Sequence, residues 1–250
     1  MPWYSPQDLE TLNRDDLAQF VAENVRVLTE DEALAILGNN YITPQLCSAI
    51  AQNARLTGFY SVRLRLVAMR QTPLAQAMKF IHYLYWFDLI RLSIDVKVPA
   101  QVRRTIDQQL LKGVEKLSLG ERISSARTCS HALIQVFLFD NDTRVLESLL
   151  INQRLREDDV LHLVSSPKAT PEQLLMLSYD RKWSYRYAVR KALVLNPRTP
   201  RSAAASQLRF LSKRDLREIH ANPSTSVYLR RCIERLTPQA FSSASPERID

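Results

Sequence analysis

The chain has 250 residues, of which 46% are hydrophobic, with 12 prolines and only 4 glycines. That apolar share suits a folded chain rather than a disordered one, and the scarcity of glycine argues against a protein of strands and hairpins, whose tight turns need it. The net charge of +8 is unevenly placed: residues 1–127 hold 15 basic against 13 acidic side chains, and residues 128–250 hold 19 against 13.

In chain order, residues 1–11, with Trp3 and Tyr4 among prolines, read as an N-terminal cap or arm. Asp15-Asp16 opens a helix to about Leu28, its apolar face formed by Leu17, Phe20, Val21 and Val25 at helical spacing. Thr29-Glu30-Asp31-Glu32 is a capping box, in which the Thr hydroxyl accepts from a first-turn amide and Glu32 reaches back; it starts a short helix ending at Leu37. In Thr43-Pro44 and Thr72-Pro73, Thr suits the N-cap, and Pro suits the first helical position, where no amide donor is needed. Helices are expected at 44–52, 59–69, 73–84, 86–93 and 99–111. Gly120 marks a break, and an apolar run from His131 to Phe139 supplies a joining helix, placed at about 124–138.

Thr170-Pro171-Glu172-Gln173 is a second capping box, and Thr199-Pro200 repeats the punctuation. Helices are expected at 157–165, 170–179, 184–195, 200–211, 213–220 and 226–236, followed by a loose tail at 239–250. Each is too short to be stable alone in water. Each carries one apolar stripe, so the helices must stack on neighbours to build a continuous core.

Sliding the chain along itself by 127 residues superposes 28–110 on 155–237 without a gap, with 20 of 83 positions identical. Tyr60, Val62 and Arg63 fall on Tyr187, Val189 and Arg190, Asp88-Leu89 on Asp215-Leu216, and Arg103-Arg104 on Arg230-Arg231. This register reads as a tandem duplication within one repeat domain, the copies running about 12–123 and 139–250.

The residues Trp183, Val189-Arg190, Leu193 and Asn196-Pro197-Arg198-Thr199-Pro200, then Asp215-Leu216, Asn222-Pro223 and Leu229-Arg230-Arg231, resemble bacterial HEAT-like repeat proteins of the leucine-rich-repeat-variant kind. The resemblance implies an all-α, right-handed α-solenoid (HEAT-like or ARM-like) of about six helical pairs that binds another macromolecule. The first copy departs from the pattern, with Met69-Arg70 in place of Asn196-Pro197 and Leu56 in place of Trp183. The N-terminal iron–sulfur cysteine cluster of some variant-repeat proteins has no counterpart here. The motifs specify a fold and not a ligand.

Three features are candidates for function. The Val-Arg positions, Arg63, Arg103 and Arg190, with Arg230 after Leu229, read as a structural ladder in which each Arg pairs with an Asp or a backbone carbonyl of the neighbouring repeat. The aromatic run Tyr85, Trp86 and Phe87 replaces Ser212, Lys213 and Arg214 of the second copy, and so reads as a contact with a partner, a second copy or the N-terminal arm; Ile81, Tyr83 and Leu84 beside it read as core. Arg181, Lys182, Arg186, Arg198, Arg201, Arg209, Lys213, Arg214 and Arg217 form a candidate polyanion-binding face. Residues 181–217 hold eleven basic side chains and one acid, whereas the equivalent 54–90 hold five basic ones.

Nothing in the sequence points to catalysis by paired carboxylates, a Ser-His-Asp set or a phosphate loop. His82, His131, His162 and His220 lack metal spacing, and Cys47, Cys129 and Cys232 lack CxxC spacing, so no metal or cofactor is expected. No stretch reaches the ~20 apolar residues that cross a bilayer, and the expected location is the cytoplasm. The expectation is a non-enzymatic binding or scaffold module whose partner is a protein, with DNA or RNA binding through Arg181–Arg217 as the alternative. A HEAT-like DNA glycosylase using Tyr85, Trp86 and Asp88 is a remote third reading.

Overall fold

The computed structural model describes residues 4–238. Among these the chain is all-helical, and none of its helices is long and apolar enough to cross a membrane. The expected tail at 239–250, and Trp3, lie outside the described residues.

Contacts group the described residues into two units, one of residues up to 118 with 128–133, the other of 119–127 with those from 134 onward. The first contains α1 (Pro6–Thr11), α2 (Arg14–Asn24), α3 (Glu30–Gly38), α4 (Pro44–Gln52), α5 (Tyr60–Ala68), α6 (Leu74–Ile81), α7 (Trp86–Ile94) and α8 (Ala100–Gly113). The second contains α9 (Leu119–Ala126), most of α10 (His131–Phe137), α11 (Thr143–Leu150), α12 (Glu157–Ser165), α13 (Pro171–Tyr179), α14 (Tyr187–Leu195), α15 (Arg201–Leu208), α16 (Lys213–Ala221) and α17 (Val227–Leu236). Single 3-10 turns occupy Leu56–Gly58 and Val114–Lys116. From α3 to α7 both ends of each helix recur 127 residues later, in α12 to α16, and α8 and α17 start 127 apart.

Within each unit a helix packs on the helix two places along. In the first, α3 touches α1 and α5, and α6 touches α8; in the second, α11 touches α9 and α13, α14 touches α12, and α15 touches α13 and α17. The apolar stripes meet in between. Leu9, Leu17, Ile36, Ile50, Val62 and Leu66 share one core. Leu208, Leu216, Ile219, Leu229 and Ile233 share another.

The helix starts follow the sequence for Thr29, Thr43 and Thr170, whose side chains each accept from the third helical amide. Thr72-Pro73 and Thr199-Pro200 differ. There the Pro is itself the N-cap, the helices begin at Leu74 and Arg201, and the threonines are buried. Residues 6–11 are not an arm: Ser5 and Asp8 make a reciprocal capping box for α1, and Leu9 is fully buried. Gly120 is no break but the second residue of α9. The region expected to hold one joining helix contains the end of α9, an interruption at 127–130 and α10.

Helix ends explain why so few glycines suffice. Helices commonly stop on an αL glycine, yet no described residue has a positive φ. Here the residue after the helix turns extended, as at Asn39, Asn53, Asp95, Asp180, Asn196 and Asn222. Its side-chain oxygen accepts the amide two residues on, as Asn196 does from Arg198 at 2.9 Å. Several of these asparagines also donate backwards. Asn39 Nδ2 donates to the carbonyls of Leu9 and Leu12 at 2.8 and 3.0 Å. Asn53 donates to Val25 at 2.6 Å, Asn152 to Ala126 at 2.9 Å, and Asn196 to Val164. One amide group thus closes its own turn and clasps the end of a helix about one repeat earlier. These clasps were not anticipated; the signal available was Asn recurring just after apolar helical runs.

Candidate binding surface

The loops leading into α14 and α16 build one edge of the second unit, and Arg190 ties them together. It is nearly buried, its Nε donates to the carbonyl of Ser184, and its guanidinium lies 3.8 Å from the centre of the Phe210 ring and 5.4 Å from that of Tyr185. Arginine suits this position because its flat, weakly hydrated fork stacks on rings and donates in the same plane. Trp183 anchors the same loop from below, its indole N–H donating to Leu150 O at 3.4 Å. Tyr187 donates to Asp215 and accepts the Ser212 amide at 3.0 Å. Lys191 Nζ reaches Asp215 and Glu218, both at 2.9 Å. Hydrogen bonds from Tyr187, Lys191 and Ser212, in that order of weight, hold the Asp215 carboxyl down at about 2.

The first unit repeats this frame with different chemistry outside it. Tyr60 donates to Asp88 and accepts the Tyr85 amide at 3.1 Å, and Arg63 lies 5.4 Å from the Tyr83 ring centre. Burial, then the hydrogen bond to Asp88, pushes the Tyr60 phenol up to about 12. Tyr83 is 62% exposed, which corrects its reading as core; it lies over the guanidinium like Phe210, not beneath the helices.

Arg63, Arg103, Arg190 and Arg230 do take backbone carbonyls, but those of Gly58, Val98, Ser184 and Asn222, five to eight residues back in the same repeat. The expected pairing across repeats is therefore corrected: each Arg closes the turn that enters its own helix, a distance its side chain spans easily, and the asparagines make the longer link.

Of the aromatic trio, Tyr85 is 69% and Phe87 45% exposed. Tyr85 stacks on Tyr60 with ring centres 4.4 Å apart. Trp86 is half-buried, because α8 runs on to Gly113 and the indole lies against it; a Cβ there would meet the ring at 2.9 Å. Of the two aromatics of the N-terminal stretch, Tyr4 packs on Phe20, edge to face, and Trp3 lies outside the described residues.

All nine candidate basic residues are exposed, but they do not share one face. Arg181, Lys182, Arg186, Arg209, Lys213 and Arg214 belong to the edge where α14 and α16 begin, and Arg217 shares the exposed stripe of α16 with the last two. Arg198 and Arg201 lie at the opposite ends of these helices, where Arg198 donates to Pro167 O at 2.6 Å. On the first edge Lys182 sits 4.3 Å from the centre of the Trp183 ring, Arg209 sits 4.9 Å from that of Phe210, and Arg186 reaches Glu157 at 3.7 Å. Arg181, Lys213, Arg214 and Arg217 make no described ion pair. Tyr179 and Tyr185, each 73% exposed, stand among them.

A groove of about 570 Å³ lies between α12 and α14, lined by Ser165, Ala188, Lys191, Ala192, Leu195 and Pro197 among others. Among the described residues no group of three His, Cys, Asp or Glu side chains could hold a metal ion. Cys47 and Cys232 are free thiols, and burial pushes that of Cys47 up to about 11.

No protein-family model matches the chain, and comparison with curated proteins and with solved structures returned no significant match.

Proposed function

We propose that the chain is a tandemly duplicated, right-handed α-solenoid of the HEAT-like, leucine-rich-repeat-variant kind, acting as a non-enzymatic module that binds another protein. The recurrence of helix ends and of the Tyr60–Asp88 and Tyr187–Asp215 pairs at an offset of 127 supports the repeat reading. The observation that carries the protein-binding reading is Phe87 with Tyr83 and Tyr85. These are large rings left in solvent on a frame that carries Ser212 and Arg214 at two of the three positions in its second copy. Exposed aromatics of this kind anchor protein contacts. Asp88 is engaged with Tyr60, and Arg91 lies 3.9 Å from it, so it serves as a helix-start residue like Asp215, which favours binding over the glycosylase reading.

Replacing Tyr85→Ser and Phe87→Arg copies the residues that the fold accepts in its second copy. The variant is expected to keep its stability within about 1 kcal/mol and to lose partners captured by affinity purification with the wild-type chain. An unchanged set of captured partners, or a loss of several kcal/mol in denaturant unfolding, would count against the proposal.

A second reading, nucleic-acid binding, is favoured by one observation: in the second unit, basic residues that make no ion pair among the described residues and exposed tyrosines occupy the same edge.

A further inference from the structure

We infer that this edge is built for single-stranded nucleic acid rather than duplex; the inference rests on the nucleic-acid reading and names its substrate class. The fold itself already uses part of the charge on this edge. Arg190 is spent on Ser184 and two rings, Lys191 on two carboxylates, and Asp215 on three donors. Asp215 and Glu218 are thereby engaged by Lys191, and Asp180 by the backbone amides of Lys182 and Trp183. What remains facing solvent with no described ion pair is Arg181, Lys182, Arg209, Lys213 and Arg214, of which Lys182 and Arg209 lie against the Trp183 and Phe210 rings. Arg186 is only loosely paired at 3.7 Å, and the rings of Tyr179 and Tyr185 are open. A row of cations alone would suit any polyanion. Cations interleaved with exposed rings suit a strand whose phosphates and unstacked bases are both within reach. A duplex hides its base faces in the stack and would leave the tyrosines idle. An acidic protein would use the cations and could also pack on the rings, so competition by polyglutamate separates it from a strand.

The loop is also prepared for the task. Trp183 and Arg190 hold the Ser184 end of Ser184-Tyr185-Arg186, and the Arg186 amide returns to Trp183 O at 3.1 Å, so Tyr185 is presented with little freedom to lose on binding. Sequence reading grouped the basic residues by nearness along the chain and did not see the tyrosines among them. Only the fold separates Arg198 and Arg201, which face the other edge, from the six that share this one.

The test uses the full chain and fluorescence anisotropy with labelled ~20-nucleotide single-stranded dT and rU and a duplex of the same length, at ~50 and ~200 mM salt. Circular dichroism and thermal unfolding check that each variant folds. Single strands are expected to bind about tenfold more tightly than duplex. Tyr179→Ala with Tyr185→Ala should weaken single-strand binding about 10- to 100-fold and leave the salt slope unchanged. Lys213→Glu with Arg214→Glu should weaken all probes and flatten the salt slope by one to two phosphate contacts, roughly 0.7 each. Arg198→Glu with Arg201→Glu, on the other edge, should stay within about threefold of wild type. Absence of salt-sensitive binding at the lower salt overturns both this inference and the nucleic-acid reading. Equal binding of duplex, or indifference to the tyrosine pair, overturns the single-strand inference and leaves the broader reading standing. Displacement of the strand by polyglutamate at matched charge overturns both in favour of an acidic protein.

Discussion

At the residue scale the asparagine clasp matters most, because one side chain satisfies two backbone groups that would otherwise be left at a buried helix end. Asn196 is 8% exposed, donates to Val164 O and accepts from the Arg198 amide. Asn196→Asp keeps the shape and the acceptor but loses the donor, setting a carboxylate against a carbonyl. The expected cost at neutral pH is about 1–3 kcal/mol, measured by denaturant unfolding. The new carboxyl is held above its ordinary value, so the loss should shrink as pH falls and the protonated acid can donate. A deficit that did not change with pH would contradict the clasp. Asp215 works in the opposite sense. Held at about 2 against an ordinary 3.8, it contributes stability that is complete above 3.8 and is lost as pH falls toward 2. Asp215→Asn is therefore expected to give a flatter dependence of melting temperature on pH across that window than wild type.

At the element scale, small differences in length decide what a helix exposes. α7 and α16 have the same length and register, yet α8 runs 14 residues where α17 runs 10. The additional turn carries Gly113 onto Trp86. Gly113, the last residue of α8, lies in the right-handed region that any residue adopts, φ −94° and ψ −17°. Alanine would therefore gain about 1 kcal/mol of helix propensity there, and lose about 1–3 kcal/mol by pressing on the indole. Gly113→Ala is expected to lower stability and shift the tryptophan fluorescence. Gly120→Ala in α9, where a Cβ meets nothing within 4 Å, is expected to raise stability by up to about 1 kcal/mol. Equal effects of the two would remove the Trp86 contact from the account. The 127-residue register, the capping boxes and the Thr43 and Thr170 starts were legible because they depend on residues within one turn of each other. Thr72-Pro73 and Thr199-Pro200 were misplaced by one position because nothing local distinguishes a Thr that caps from a Thr that is buried.

At the scale of the molecule the two units present different chemistry on corresponding frames. The first offers Tyr83, Tyr85 and Phe87 beside few charges; the second offers cations interleaved with tyrosines. Salt separates the two in one experiment: phosphate contacts weaken steeply between ~50 and ~200 mM, whereas an apolar anchor is little affected by screening of surface charge. The charge asymmetry was visible in the sequence, and so was the aromatic run. Their composition as surfaces was not. Trp86 left the aromatic patch because a residue 27 positions away covers it, Tyr83 joined it, and two of nine basic residues fell on the other edge.

The sequence by itself determined the helical class, most helix boundaries, the internal register and the excess of positive charge in the second half, since each follows from neighbours along the chain or from composition alone. Only the tertiary structure decided which side chains are already spent. Arg190 and Lys191 look the same in sequence as Arg181 and Arg214, but the first two are engaged by groups brought in from other turns and helices, whereas the last two make no ion pair among the described residues. Charge and aromaticity belong to residues; availability to a partner belongs to packing, which sets solvent exposure and local pairing one contact at a time.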